Sequence, residues 1–121
     1  FSVSGQAVIW PPDSNPFFHI IGNMESKTAV SQLSALAQEN RLAIYRLLVQ
    51  QGPEGMAVGR IAETLGLANA TLSFHLKTLA QAGLIEARQD GRFIHYSANY
   101  PAMNGLIGFL TENCCGGHPC C

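Results

Sequence analysis

The sequence predicts a mainly α-helical domain with one small β-hairpin, a winged helix-turn-helix that works as a homodimer. Three observations carry this. From Val58 to Ala82, VGRIAETLGLANATLSFHLKTLAQA holds two apolar stripes of helical period on either side of a glycine, as two helices joined by a tight turn require. Directly beyond it, two strand-like runs flank Asp90-Gly91, a short hairpin signal. Apolar helical patterns also occur near both ends of the chain, where a dimer interface would be built.

Phe1 to Asn23 differs in kind. It holds Pro11, Pro12 and Pro16, Gly5 and Gly22, several serines, one charge at Asp13, and no periodicity. Trp10, Phe17, Phe18, Ile20 and Ile21 are apolar enough to dock. The expectation for 1–23 is a mostly disordered extension ahead of a natural start at Met24, with a functional arm as the alternative. Residues 24–113 are expected to form the DNA-binding and dimerisation domain, and 114–121 a cysteine-rich tail.

Met24 to Ala37 reads as a helix with Ala29, Val30, Leu33, Leu36 and Ala37 on one side. Gln38 to Gln50 reads as a second, with Leu42, Tyr45, Leu48 and Val49 at helical spacing and Ile44 and Leu47 widening the stripe. The cluster Gly52-Pro53-Glu54-Gly55 stops it. In the next helix Val58, Ile61, Ala62 and Leu65 sit at i, i+3, i+4 and i+7, and Gly66 supplies the left-handed cap. Leu72, Leu76 and Leu79 form the stripe of its partner helix, which Gly83 closes. Leu84 to Gln89 and Arg92 to Ser97 are the strands of the wing, with Asp90-Gly91 expected at positive φ. Pro101 opens a last helix, where a missing N–H is harmless. Met103, Leu106, Ile107 and Leu110 make its apolar face, and it runs to Glu112-Asn113. Gly105 and Gly108 within it suit close approach of another backbone.

At 100° per residue, the face of the second motif helix opposite its leucines carries Ala70, Ser73, Phe74, Lys77 and Gln81. It has one cation and no acid, which suits approach to a DNA major groove. Ser73 is placed for a base or phosphate, Ala70 and Phe74 for a thymine methyl, and Lys77 for phosphate. Asn69, at the helix start, either caps the helix or bonds an adenine edge. His75 falls beside the leucine stripe and is expected to be packed. Arg88 and Arg92 flank the wing tip, within reach of phosphate or the minor groove.

Bulk properties temper that reading. Of 121 residues 47% are hydrophobic and 12% charged, and the formal net charge is −1, so no global field draws the chain to DNA. Binding would rest on local placement and on two copies of the surface. No apolar run is long enough to span a membrane, and no signal peptide pattern opens the chain. A cytoplasmic protein without catalytic machinery is expected: no triad, paired acids or phosphate loop is found. Cys115 with His118 is the nearest thing to a catalytic pair, on a tail without a pocket.

All four cysteines fall in the closing CCGGHPCC, which reads as a ligand site in a reducing compartment rather than a disulfide framework. Cys114 and Cys115 leave the last helix, and Gly116, Gly117 and Pro119 return the chain to Cys120 and Cys121. Clustered thiolates suit a soft ion. Arsenite takes three sulfurs in a pyramid, which adjacent cysteines can share. Zinc wants a tetrahedron and wider spacing, and would need His118 with three thiolates. A thiol-redox or polysulfide switch is the third reading.

LSALAQENRLAIYRLL, IAETLGLANATLSFHLKTLAQAGLI and GRFIHYS resemble the ArsR/SmtB family of bacterial metal- and metalloid-responsive repressors, from about Met24 to Cys121. The resemblance implies a winged-helix homodimer that holds operator DNA until an inducer binds, with DNA contacts at Asn69, Ala70, Ser73 and Phe74. The cysteine pair that the founding arsenic sensors carry in the first motif helix is missing from MAVGRIAE. The Asp, His and Glu of zinc sensors are missing from PAMNGLIGFLTE. Thr111 to Cys115, Thr-Glu-Asn-Cys-Cys, instead resembles the subgroup whose arsenite site lies just past the last helix. That implies Cys114, Cys115 and Cys121 as ligands, with Cys120 a further candidate. Antimonite and trivalent organoarsenicals are chemically equivalent expectations. A zinc-stapled winged helix serving protein contacts is the reading from another class.

Overall fold

The computed structural model describes residues 25–117. The extension expected over 1–23, Met24, and the tail residues His118, Cys120 and Cys121 lie outside them.

Helix α1 (Ser26–Leu36) buries Ala29, Gln32 and Ala35. This corrects the expected stripe: Ala29 faces the core, but Val30 is 63% exposed and Leu33 is exposed too. The helix has two apolar faces, and the one built on alanines packs closest to the domain. Gln32 Nε2 donates to the Ala82 carbonyl at 3.4 Å. Gln38, expected to be helical, is instead the extended N-cap of α2 (Glu39–Gln51), its side chain accepting from the Arg41 N–H at 2.9 Å. Arg41 Nε donates back to the Ala35 carbonyl at 2.7 Å, bracing the corner between the helices. Helix α2 buries Ile44, Tyr45 and Leu48, whereas Leu42 stays exposed.

After the turn comes β1 (Met56–Ala57), a two-residue strand too short to leave a period in the sequence. It leads into α3 (Val58–Leu65), which ends where Gly66 takes the left-handed conformation at φ 66°, ψ 36°. Helix α4 (Asn69–Gln81) follows, burying Leu72, His75, Leu76 and Leu79. His75 is 7% exposed, the packed position its angle predicts. The N-cap is Ala68, with no side-chain cap bond, so Asn69 is the first helical residue and not the cap. Gly83 follows at φ 79°.

The wing is β2 (Ile85–Asp90) and β3 (Phe93–Ala98). With β1 they form a three-stranded antiparallel sheet in the order β1-β3-β2. Asp90 pairs with Phe93, so the turn residues are Gly91 and Arg92, one step along from the expected Asp90-Gly91. Among the two, only Gly91 has positive φ, at 64°. Glycine in the first turn position alone is the requirement of a II′ hairpin, and a glycine can satisfy it without help from the aspartate.

Helix α5 (Tyr100–Leu110) is capped by Asn99, whose Oδ1 accepts from the Ala102 N–H at 3.2 Å. It ends earlier than Glu112-Asn113. The fully buried Ile44, Leu48, Ile61, Leu72, Leu79 and Leu84 join α2, α3, α4 and the start of the wing in one core. At about 1.5–3 kcal/mol for each such side chain, this core holds α4 by its inner face and leaves its outer face free.

Candidate nucleic-acid interface and thiol site

Asn69, Ala70, Ser73, Phe74 and Lys77 are all exposed, on the side of α4 away from the core. No acid interrupts them. Phe74 stands 64% exposed, its ring edge-on to His75 with centroids 5.8 Å apart. Thr78 Oγ1 donates to the Phe74 carbonyl at 3.1 Å, satisfying itself within the helix. The surface therefore offers one hydroxyl, one amide, one cation and apolar groups.

The wing closes one side of this surface. Ser73 and Leu76 from α4, Val58 and Gly59 from α3, and Arg92, Phe93, Ile94 and Tyr96 from the wing line one cavity of ≈ 380 Å³. Arg92, in the turn, thus shares a concavity with Ser73. Arg88 does not: its Nη2 donates to the Glu54 carbonyl at 3.1 Å, which ties the wing to the turn behind it. The two arginines that sequence reading treated alike have different surroundings. Phe93 and Ile94 went unnoticed in the sequence, although two adjacent apolar residues at a hairpin tip cannot both point inward, since neighbours in a strand face opposite ways.

The thiols sit where α5 runs out. Thr111 Oγ1 donates to the Ile107 carbonyl at 2.8 Å, and the Cys114 N–H to the Thr111 carbonyl at 2.9 Å. Cys114–Gly117 is a kinked turn in which Cys115 (φ 56°, ψ 35°) and Gly116 (φ 67°, ψ 23°) are left-handed. Asn113 and Cys115 both take positive φ, 57° and 56°, which is unusual without glycine. That bend brings the Cys114 and Cys115 sulfurs to 3.8 Å. Once Cys115 is reduced, two thiolates each about 2.3 Å from a shared centre fit such a separation. Cys114 is half-buried, Cys115 exposed and disulfide-bonded. Among the described residues no group of three metal-ligating side chains forms; the third-ligand candidates Cys121 and Cys120 lie outside them.

Two further features connect these surfaces. Asn99 caps α5 and, through Nδ2, donates to the Gly83 carbonyl at 2.9 Å, while its own N–H donates to the Leu84 carbonyl at 2.8 Å. The start of α5 is thereby fastened to the chain just beyond α4. Tyr100 Oη donates to the Val49 carbonyl at 2.9 Å, fastening it also to the end of α2. Beyond that, α5 presents Ile107 and Leu110 to solvent, as its neighbour α1 presents Val30 and Leu33. A Cβ at Gly108 would meet nothing within 4 Å. Among the described residues no helix is long and apolar enough to cross a membrane.

Comparison with known proteins agrees with this architecture. A family model described as a helix-turn-helix domain matches residues 36–88. The chain is 36% identical over 88 residues to the nodulation protein NolR of Rhizobium meliloti, covering 73% of this chain and 70% of that one. It is 34% identical over 95 residues to the arsenical resistance operon repressor of Bacillus subtilis, covering 74% and 87%. The crystal structure of NolR from Sinorhizobium fredii superposes with a TM-score of 0.59 at 35% identity, over 86% of this chain and 95% of that one. A winged helix-turn-helix DNA-binding domain from Mycobacterium bovis, described as homodimeric and a possible ArsR-family regulator, gives 0.57 at 26% identity, over 83% and 98%. Regulators, not enzymes, are what the chain is similar to, and it belongs to the ArsR family of winged helix-turn-helix transcriptional regulators.

Proposed function

We propose that the chain is an arsenite-responsive repressor whose ligand-free homodimer holds double-stranded operator DNA. The observation that carries the reading is the paired sulfur of Cys114 and Cys115, 3.8 Å apart at the end of α5, the helix whose outer apolar face is open. The names of the relatives do not choose the signal, since one concerns nodulation and another arsenic. Arsenite rests on this chain's own thiols.

In this reading a second copy covers Val30, Leu33, Ile107 and Leu110, as the homodimeric Mycobacterium bovis domain encourages. Asn69, Ala70, Ser73, Phe74 and Lys77 of each copy enter successive major grooves about 34 Å apart. Reduced Cys114, Cys115 and Cys121 displace the three hydroxides of arsenous acid. Three As–S bonds form, three As–O bonds break, and the thiol protons leave as water. Cys120 is the substitute third ligand. The closed ring draws the tail across the end of α5. Because α5 is tied through Asn99 to the chain after α4, the spacing of the reading helices changes. A coupling of about 1–3 kcal/mol suffices for such a response.

The test is operator binding with arsenite titrated under strict reduction. Cys114→Ser and Cys115→Ser should bind operator as the unaltered protein does and ignore arsenite; normal release of either variant would remove the site. Cys120→Ser and Cys121→Ser in parallel identify the third sulfur. Antimonite in the same series tests the equivalent trivalent centre. A second reading, a thiol-redox repressor, is favoured by the disulfide at Cys115. It requires release by oxidant and no response to arsenite while the thiols stay reduced.

A further inference from the structure

The wing carries an apolar residue where a phosphate-binding hairpin needs cations. Phe93 is 63% exposed and Ile94 42% exposed at the turn end of β3. Of the wing's two arginines, Arg88 donates to the Glu54 carbonyl, and Arg92 lines the cavity that Ser73 and Phe93 also line. Neighbouring side chains at this tip are thus one cation and one large aromatic ring, facing the concavity beside the reading helix.

We infer that Phe93 is a DNA-contacting residue that packs on deoxyribose, and that the wing grips one strand by an alternating pair, Arg92 on phosphate and Phe93 on the adjoining sugar. The inference rests on the DNA-binding reading above and extends it to a residue that reading does not use. A nucleic-acid strand alternates anionic phosphate with apolar sugar carbons, and Arg92-Phe93 presents the matching alternation. Ser73 on the reading face and Phe93 on the wing line the same cavity, so a strand seated at Ser73 passes within reach of the ring. A large exposed apolar side chain beside a binding surface is itself a mark of an interface. The sparse charge of this face leaves a share of the affinity to apolar packing of this kind.

Ionic strength separates the two interactions. Each phosphate neutralised contributes about 0.9 to the slope of log affinity against log salt, and an apolar interaction contributes nothing. The protein is first used to select a duplex from random DNA, and affinity for it is then measured from low to moderate salt. Phe93→Ala should weaken binding at least about fivefold with an unchanged slope, and Phe93→Leu should restore most of the affinity. Arg92→Ala should weaken binding and flatten the slope by about 0.9 for each phosphate left without its cation. Because the ring is exposed, thermal unfolding of Phe93→Ala should match the unaltered protein. Unchanged affinity of Phe93→Ala, or a slope that falls with it, overturns the inference and leaves DNA binding standing. If the unaltered protein selects no duplex, the DNA-binding reading fails and this inference with it.

Discussion

Gly55 shows how much one residue decides. It lies at φ 80°, and a Cβ placed there would stand 2.5 Å from the Tyr96 carbonyl oxygen. Left-handed backbone alone costs roughly 1–2 kcal/mol for other residues, and the clash with the wing adds to it. Gly55→Ala should therefore lower the unfolding free energy by more than about 2 kcal/mol in denaturant titration. Tyr45 is the opposite case. Its hydroxyl is buried without a hydrogen-bond partner among the described residues, and burial, with Tyr100 nearby, pushes its pKa above the usual 10.0. The neutral phenol is favoured in the fold. Its stabilising effect is complete below pH 10 and lost as pH rises through the ordinary value towards the raised one. Tyr45→Phe should be neutral or slightly stabilising at pH 7 and should lessen the fall in melting temperature above about pH 10. Sequence reading placed His75 correctly because angle alone decides which side of a helix is packed. Of the two roles open to Asn69, the structure removes the cap, because Ala68 takes that position; the Arg88 bond to the Glu54 carbonyl joins residues 34 apart and leaves no local signal in the sequence.

Among the elements, those with long apolar periods were legible: α2 to α5 and both long strands follow the spacing of their leucines, isoleucines and turn glycines. Three features were not. The strand β1 is two residues long and exists only because β3 offers it a partner. The hairpin register slipped by one because Asp-Gly and Gly-Arg are both acceptable turns, and the strand pairing chooses between them. The packed face of α1 was not legible because apolar residues lie on two sides of the helix, and periodicity does not say that the side with Ala29 and Ala35 is the buried one. Asn99 illustrates an element-level joint. Asn99→Ala removes the cap of α5, worth about 1 kcal/mol, and leaves the Gly83 carbonyl without its donor, a further loss of about 1 kcal/mol or more. Asn99→Asp keeps the cap oxygen and should lose only the second part. The comparison is made by thermal unfolding of the two variants side by side.

For the molecule as a whole, the open stripe on α1 and α5 predicts assembly. Ile107→Glu, on a residue 51% exposed in the single chain, should leave the fold intact and yield a monomer in sedimentation. Operator affinity should then drop about 100-fold or more, because linking two modest binding surfaces multiplies them. An Ile107→Glu protein that still sediments as a dimer would move the interface elsewhere. The cysteine pair was visible in the sequence as composition, but its left-handed bend was not. Asn113 has a local preference for positive φ, but Cys115 has none, so the second left-handed residue follows from how the chain leaves α5.

The bond from Arg88 to the Glu54 carbonyl, with β1 paired to β3, has a consequence for how relatives should be compared. The turn after α2 is thereby tied to both strands of the wing. If the chain holds operator DNA as proposed, changes there are expected to alter operator preference although no residue of that turn is assigned a base or phosphate contact. Two regulators with identical reading helices would then choose different promoters, and aligning only their groove-facing residues would miss the reason.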